Sequence, residues 1–115
     1  MESAADLNAR ADAVAGLYDK VALLTSESLD GANVASGGTA QTVAYTAGGA
    51  EGPVAADHPA IDGLAWSGVN SFTLAGVATH VGLLVGSTVV RTVELPVPLG
   101  PGVVPFVHGV GPAGL

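Results

Sequence analysis

The chain has 115 residues, and 3 basic residues stand against 10 acidic ones, which gives a formal net charge of -7. Charge of this sign repels nucleic-acid phosphates and anionic lipid headgroups, so neither nucleic acid nor a membrane is an expected partner. The chain has no cysteine, which excludes disulfides, thiolate nucleophiles and cysteine metal ligands. At this length the sequence predicts one domain with a modest hydrophobic core.

The first predicted element is a helix over residues 3–18, within an amino-terminal segment at 1–19. Ser3 and Asp6 form a capping-box pattern, in which the hydroxyl accepts a free backbone N–H and the carboxylate lies at the positive end of the helix dipole. Gly16 predicts where the helix ends. Apolar residues recur along one face at Leu7, Ala11, Val14 and Tyr18. The pattern therefore predicts an amphipathic helix.

After the helix the apolar period changes from 3.6 to 2, which predicts strands. The candidate strands are 20–25, 39–46, 64–66, 69–74, 79–85 and 88–95. Phe72 and Leu74 alternate with Ser71 and Thr73, as in a strand with one buried face. Between the last two strands, Gly86 opens a two-residue hairpin turn. One helix followed by short strands predicts a mainly β fold, a compact antiparallel β-sandwich or barrel.

The carboxyl-terminal residues 95–115 contain no Lys, Arg, Asp or Glu, but five prolines and five glycines. Such a segment is too apolar to stay solvated and too rich in Pro and Gly for a transmembrane helix. We therefore divide the chain into the helix at 1–19, a β domain at 20–95 and an extended apolar tail at 96–115. The tail is expected to complete a core or to lie on a partner protein.

Two segments are candidate partner contacts. The first is the tail, where the contact residues are predicted to be Val103, Val104, Phe106 and Val107. The second is the long loop 47–63, because a loop of this length in a small domain is commonly functional or disordered. Its candidate contact residues are Val54 and His58.

Sequence patterns typical of metal-binding or catalytic sites are weak in this chain. His58 lies between Asp57 and Asp62, but His-Pro and Asp-Gly pairs are ordinary turn sequences, so no metal or cofactor is expected. His80 and His108 have no acidic partner in their sequence neighbourhoods. The chain has no nucleophile elbow, no phosphate-binding loop and no pair of carboxylates on predicted cleft walls. An enzyme is therefore not expected, although a hydrolase site assembled from distant residues would leave no such pattern.

A carbohydrate-binding module is an alternative from another class. Trp66 with Tyr45 has the chemistry of a platform that stacks on a pyranose ring. The sole tryptophan of a small β domain is more often an anchor of its core. The sequence favours the anchor and leaves the platform open.

One part of the chain resembles a known group. The stretch SFTLAGVATHVGLLVGSTVVRTVELPVPL, which begins at Ser71, together with the earlier helix and the strand DKVALLTSE, resembles small virion proteins of tailed phages that infect high-GC bacteria. In those proteins a helix leads into an "xVxLLT" strand, and a "THVGLW" strand is followed by a hairpin and an "LPxPL" strand. Leu84 replaces the common aromatic residue, and the loop 47–63 diverges.

This resemblance implies a capsid decoration (cement) protein or minor capsid protein, with a tail or fibre-associated protein as the alternative. The expected partners are the major capsid protein and further copies of this chain, as a homotrimer. The acidic charge argues against contact with packaged DNA. We therefore expect the outer capsid surface of the virion as the location.

Overall fold

The fold was analysed in a computed structural model, which describes residues 2–113. Within this range the chain forms one helix and eight strands. They are α1 (Ala4–Ala15), β1 (Lys20–Leu24), β2 (Gln41–Thr42), β3 (Ala65–Trp66), β4 (Asn70–Leu74), β5 (Ala78–Val85), β6 (Thr88–Leu99), β7 (Gly102–Phe106) and β8 (Gly109–Val110). Strands predominate and every sheet is antiparallel, which confirms the mainly β fold with one amino-terminal helix.

The chain divides into two structural units that interleave along the sequence. The first unit contains the chain through Leu17, the segment Val43–Val69 and the chain from Val107 onward. The second unit contains Tyr18–Thr42 and Asn70–Phe106. Each unit is therefore built from segments that are distant in sequence.

The first unit begins with α1, which is capped by Ser3 and Gly16 as predicted but ends at Ala15, short of the predicted stripe residue Tyr18. The Ser3 hydroxyl accepts a hydrogen bond from the Asp6 backbone N–H at 3.1 Å, and Gly16 caps the other end. Because Ala11 and Ala15 are small, the buried side of the helix permits close packing. Ala15 joins Ala65 of β3 and the β8 residue Val110 in one apolar cluster.

The second unit contains a four-stranded sheet in the order β2-β1-β5-β6. Its two inner strands, β1 and β5, are covered on both faces, because four consecutive residues in each strand are buried. The β5–β6 hairpin is confirmed: Val85 pairs with Thr88 across the two-residue turn, and Gly86 has a φ of +61°. The Asp19 carboxylate accepts the Gly86 N–H and holds the turn against the start of β1.

A separate two-stranded sheet pairs β4 with β7 in the second unit. The predicted alternation of β4 is confirmed, since Asn70, Phe72 and Leu74 are buried whereas Ser71 and Thr73 are exposed. The third sheet, in the first unit, pairs β3 with β8. None of the three sheets closes into a barrel within the described residues.

The expectation of an extended tail over 96–115 is wrong for the residues that the structure describes, because β6 runs to Leu99 and both β7 and β8 follow it. The predicted boundary at residue 95 therefore falls inside a strand. Proline is tolerated there because β6 lies at a sheet edge, and its ladder with β5 is irregular between Glu94 and Leu99. The last two residues lie outside the described range.

The predicted strand 39–46 is much shorter than expected. Only Gln41–Thr42 pairs with β1, and Tyr45 forms an isolated bridge with Ser67. The Asn70 side-chain amide donates to the Thr42 carbonyl oxygen at 2.9 Å, so a side chain holds the backbone where β2 ends.

We predict that Gly37→Ala destabilises the chain far more than Gly31→Ala. Both glycines have a positive φ, +87° and +79°, so both substitutions strain the backbone alike. At Gly37 an added Cβ would lie 1.8 Å from the Thr73 carbonyl oxygen, whereas nothing lies within 4 Å at Gly31. The overpacked variant should lose about 1–3 kcal/mol more than its control in urea unfolding. Equal losses of stability in the two variants would contradict the close approach of the loop around Gly37 to β4.

Candidate functional site

The uncharged carboxyl-terminal strands contain most of the predicted contact residues, and β7 divides them between two faces. Val103 pairs with Thr73, an exposed position of β4. Val104 pairs with the fully buried Phe72, and Phe106 pairs with the buried Asn70. Because side chains alternate along a strand, Val104 and Phe106 lie on the opposite face from Val103. The structure therefore does not bring the predicted residues together on one surface.

Val103 is the predicted residue that is most available to a partner. Its side chain is 70 % exposed, the highest value among the exposed large apolar residues that the structure describes. Val104 and Phe106 are only half-buried, but they face the covered side of the β4–β7 sheet. Val107 is also half-buried and belongs to the first unit.

Val97, at the end of β6, is a contact candidate that the sequence analysis missed. It is 66 % exposed, and Pro96 and Pro98 on either side are exposed as well. These residues occupy the irregular part of the β5–β6 ladder. We call these residues, with Val103 and Pro105, the neutral segment: exposed positions of the second unit between 96 and 105, none of which has an ionisable side chain. The sequence signal is the run Pro96-Val97-Pro98. Proline cannot donate a ladder hydrogen bond, so the run predicts an interrupted strand with a valine in the interruption.

The outer edge of β7 is a poor site for adding another strand. No further strand pairs with it among residues 2–113. Pro105 has no backbone N–H, so the strand presents fewer donors than an ordinary edge. A partner is therefore expected to contact exposed side chains of the neutral segment rather than to extend its sheet.

The predicted loop contacts, Val54 and His58, lie in one tight turn. The Val54 carbonyl oxygen accepts the His58 N–H at 2.7 Å, and the Val54 N–H donates to Nδ1 of the imidazole at 3.2 Å. This second bond requires that Nδ1 carry no proton, which assigns the proton of the neutral ring to Nε2. Val54 is 48 % exposed, whereas the histidine is half-buried. Of the two, only Val54 offers an apolar side chain to a partner.

Trp66 anchors this loop. Its indole Nε1–H donates to the Pro59 carbonyl oxygen at 2.9 Å, and the His58 ring meets it edge-to-face at 5.0 Å between centroids. Gly52 allows the chain to pass close by, because a Cβ there would lie 3.0 Å from the tryptophan Cβ. The indole is half-buried, with its polar group already bonded. Trp66 therefore anchors a loop and not the buried core, and its indole N–H is already used within the chain.

Two other features are absent from residues 2–113. No group of three or more His, Cys, Asp or Glu side chains in that range is arranged to hold a metal ion. Within the same range, no helix is both long enough and apolar enough to cross a membrane.

The chain was compared with known proteins. No family model, curated protein or solved structure matches it.

Because β7 has a covered and an exposed face, we predict unequal losses of stability for two neighbouring substitutions. Val104→Asp places a carboxylate on the covered face beside Phe72, and should destabilise the chain by about 1–3 kcal/mol. Val103→Asp places the same charge in solvent, and should cost less than about 1 kcal/mol. Urea unfolding followed by circular dichroism measures both. Comparable losses would mean that the strand does not present these residues as described.

Proposed function

We propose that this chain is a structural protein of a tailed-phage virion, a capsid decoration (cement) or minor capsid protein that binds the outer surface of the major capsid shell and stabilises it. The resemblance at Ser71 and beyond supports this assignment. The observation that carries it is the neutral segment, which exposes Val97 and Val103 without an ionisable group in a chain of net charge -7. Exposed apolar chain of this kind is typical of protein–protein contacts.

Charge is distributed unequally along the chain, which favours this contact. The first unit contains six carboxylates and a single basic residue, Arg10. The chain from Asn70 to Phe106 contains only Arg91 and Glu94 as charged residues. A protein partner that contacts the neutral segment therefore buries side chains that are themselves uncharged, and burial contributes roughly 25 cal/mol per Å² of apolar area.

Assembly as a homotrimer strengthens binding. A single neutral segment is short, and its contact must offset the loss of translational and rotational freedom on binding. Three linked copies that engage a symmetric shell multiply a modest affinity by raising the effective concentration of each site. The protein then bridges neighbouring major-capsid subunits and opposes their separation.

Within the second unit we propose a β-sandwich as the finer architecture. The four-stranded sheet is buried on both faces along β1 and β5, so each face needs a covering layer. One face contains an apolar cluster of Ala22, Leu24, Leu84 and Val89, packed with Ala40. The buried face of β4, with Phe72 and Leu74, has the apolar character that a second layer requires.

Particle composition tests the proposed function. Mass spectrometry of purified virions, separated into heads and tails, should find the chain in the head fraction at a copy number comparable with that of the major capsid protein. Presence at a few copies in the tail fraction would instead support the tail or fibre-associated alternative. Absence from both fractions would contradict a virion role.

The contact surface is tested by substitution. We predict that Val97→Asp combined with Val103→Asp lowers particle occupancy at least tenfold, because a charge in an apolar contact costs more than about 1.4 kcal/mol. Val69→Asp is the matched control, since Val69 is 53 % exposed but lies outside the neutral segment. Equal occupancy of both variants would contradict the assignment. Point substitutions are preferable to deleting 101–115, which would remove β7 and uncover Phe72.

A further inference from the structure

His108 directly precedes β8 in the first unit. It is hydrogen-bonded to Ser67, the residue that follows β3. Its backbone N–H donates to the Ser67 hydroxyl at 3.0 Å, and the Ser67 N–H donates to the His108 carbonyl oxygen at 2.8 Å. Imidazole Nε2 lies 2.7 Å from the Tyr45 hydroxyl, and the two rings meet edge-to-face. Ser67 is fully buried and His108 is 7 % exposed. Two hydroxyl groups, those of Tyr45 and Ser67, therefore contact His108 inside the unit.

The elements around this histidine place their charged groups in solvent. Among residues 2–113, the side-chain carboxylates of the first unit are all exposed: Glu2, Asp6, Asp12, Glu51, Asp57 and Asp62. On α1, which contacts β8, Arg10 bonds with Glu2, and Asp12 accepts the Gly48 N–H. On the loop, Asp62 lies 3.4 Å from the Asn8 amide. His58 and Tyr45 are the remaining titratable groups of these segments, and the tyrosine contacts the His108 ring directly.

Burial opposes the charged form of His108. Desolvation lowers the pKa of His108 from 6.5 to about 4. In the unfolded chain the imidazole regains its ordinary pKa, so below 6.5 the unfolded form binds the proton while the folded form does not. The stabilisation is therefore complete above pH 6.5, and it is lost as the pH falls towards 4.

We propose that His108 makes the β3–β8 pair an acid-sensitive latch, which opens on protonation while the four-stranded sheet of the second unit remains folded. The opening releases residues 107–113, because His108 holds this segment to Ser67 and Tyr45. No equivalent group lies inside the second unit: among residues 2–113, His108 is the only imidazole that is buried, and His80 retains partial exposure.

The chain contains its own reporter for this opening. Trp66 is the only tryptophan, and it pairs with Gly109 immediately after His108. In urea titrations followed by Trp66 emission, the unfolding constant of the wild type should rise by up to about tenfold per pH unit as the pH falls from 6.5 towards 4. His108→Gln keeps a side-chain amide for Tyr45 but cannot titrate, and should flatten this dependence. His80→Gln, a histidine substitution in the second unit, is the control, and it should retain the wild-type dependence.

Nuclear magnetic resonance of the wild type tests the latch without a variant. On acidification the amide signals of Gly109 and Val110 should shift or broaden before those of Leu23 and Leu83, which lie in the second unit. The His108 ring signals should titrate well below the usual range of histidine. Titration of the folded ring in its usual range, simultaneous loss of both sets of amide signals, or an unchanged dependence in His108→Gln would each overturn the proposal.

Discussion

Backbone pairing between β4 and β7 determines which part of the uncharged carboxyl-terminal chain is available for function. The ladder joins Phe72 to Val104 and Thr73 to Val103, so one valine faces the covered side and its neighbour faces solvent. A hydrophobic segment that looks uniform in sequence thereby acquires an inner and an outer side. The proposed partner contact depends on this separation, because only side chains on the outer side are free of the chain's own packing.

The sequence predicted the elements whose ends depend on local chemistry. Ser3 and Gly16 delimit the helix because capping involves only neighbouring residues. Gly86 determines the hairpin turn for the same reason, since a positive φ is a local requirement. The alternation in β4 could also be predicted, because successive residues of a strand face opposite sides, one buried and one exposed.

The pairing of strands that are distant in sequence could not be predicted. Proline and glycine in residues 95–115 suggested an extended tail, although a strand at a sheet edge tolerates proline where its ladder is interrupted. The candidate contact residues were named without their faces, because a face exists only once β4 is known to be the partner. His108 was dismissed for lack of an acidic neighbour in sequence, whereas the structure surrounds it with Tyr45 and Ser67, both more than 40 positions away.

Interleaving of the two units has a consequence for synthesis on the ribosome. The first unit requires β8, which is encoded almost at the end of the chain, to pair with β3. The second unit requires β7, which precedes β8 by only a few residues. Neither can close while these strands are still inside the exit tunnel, and contacts between sequence-distant segments form slowly. During synthesis, Phe72 and Ala65 therefore stay uncovered until β7 and β8 have emerged and paired with β4 and β3.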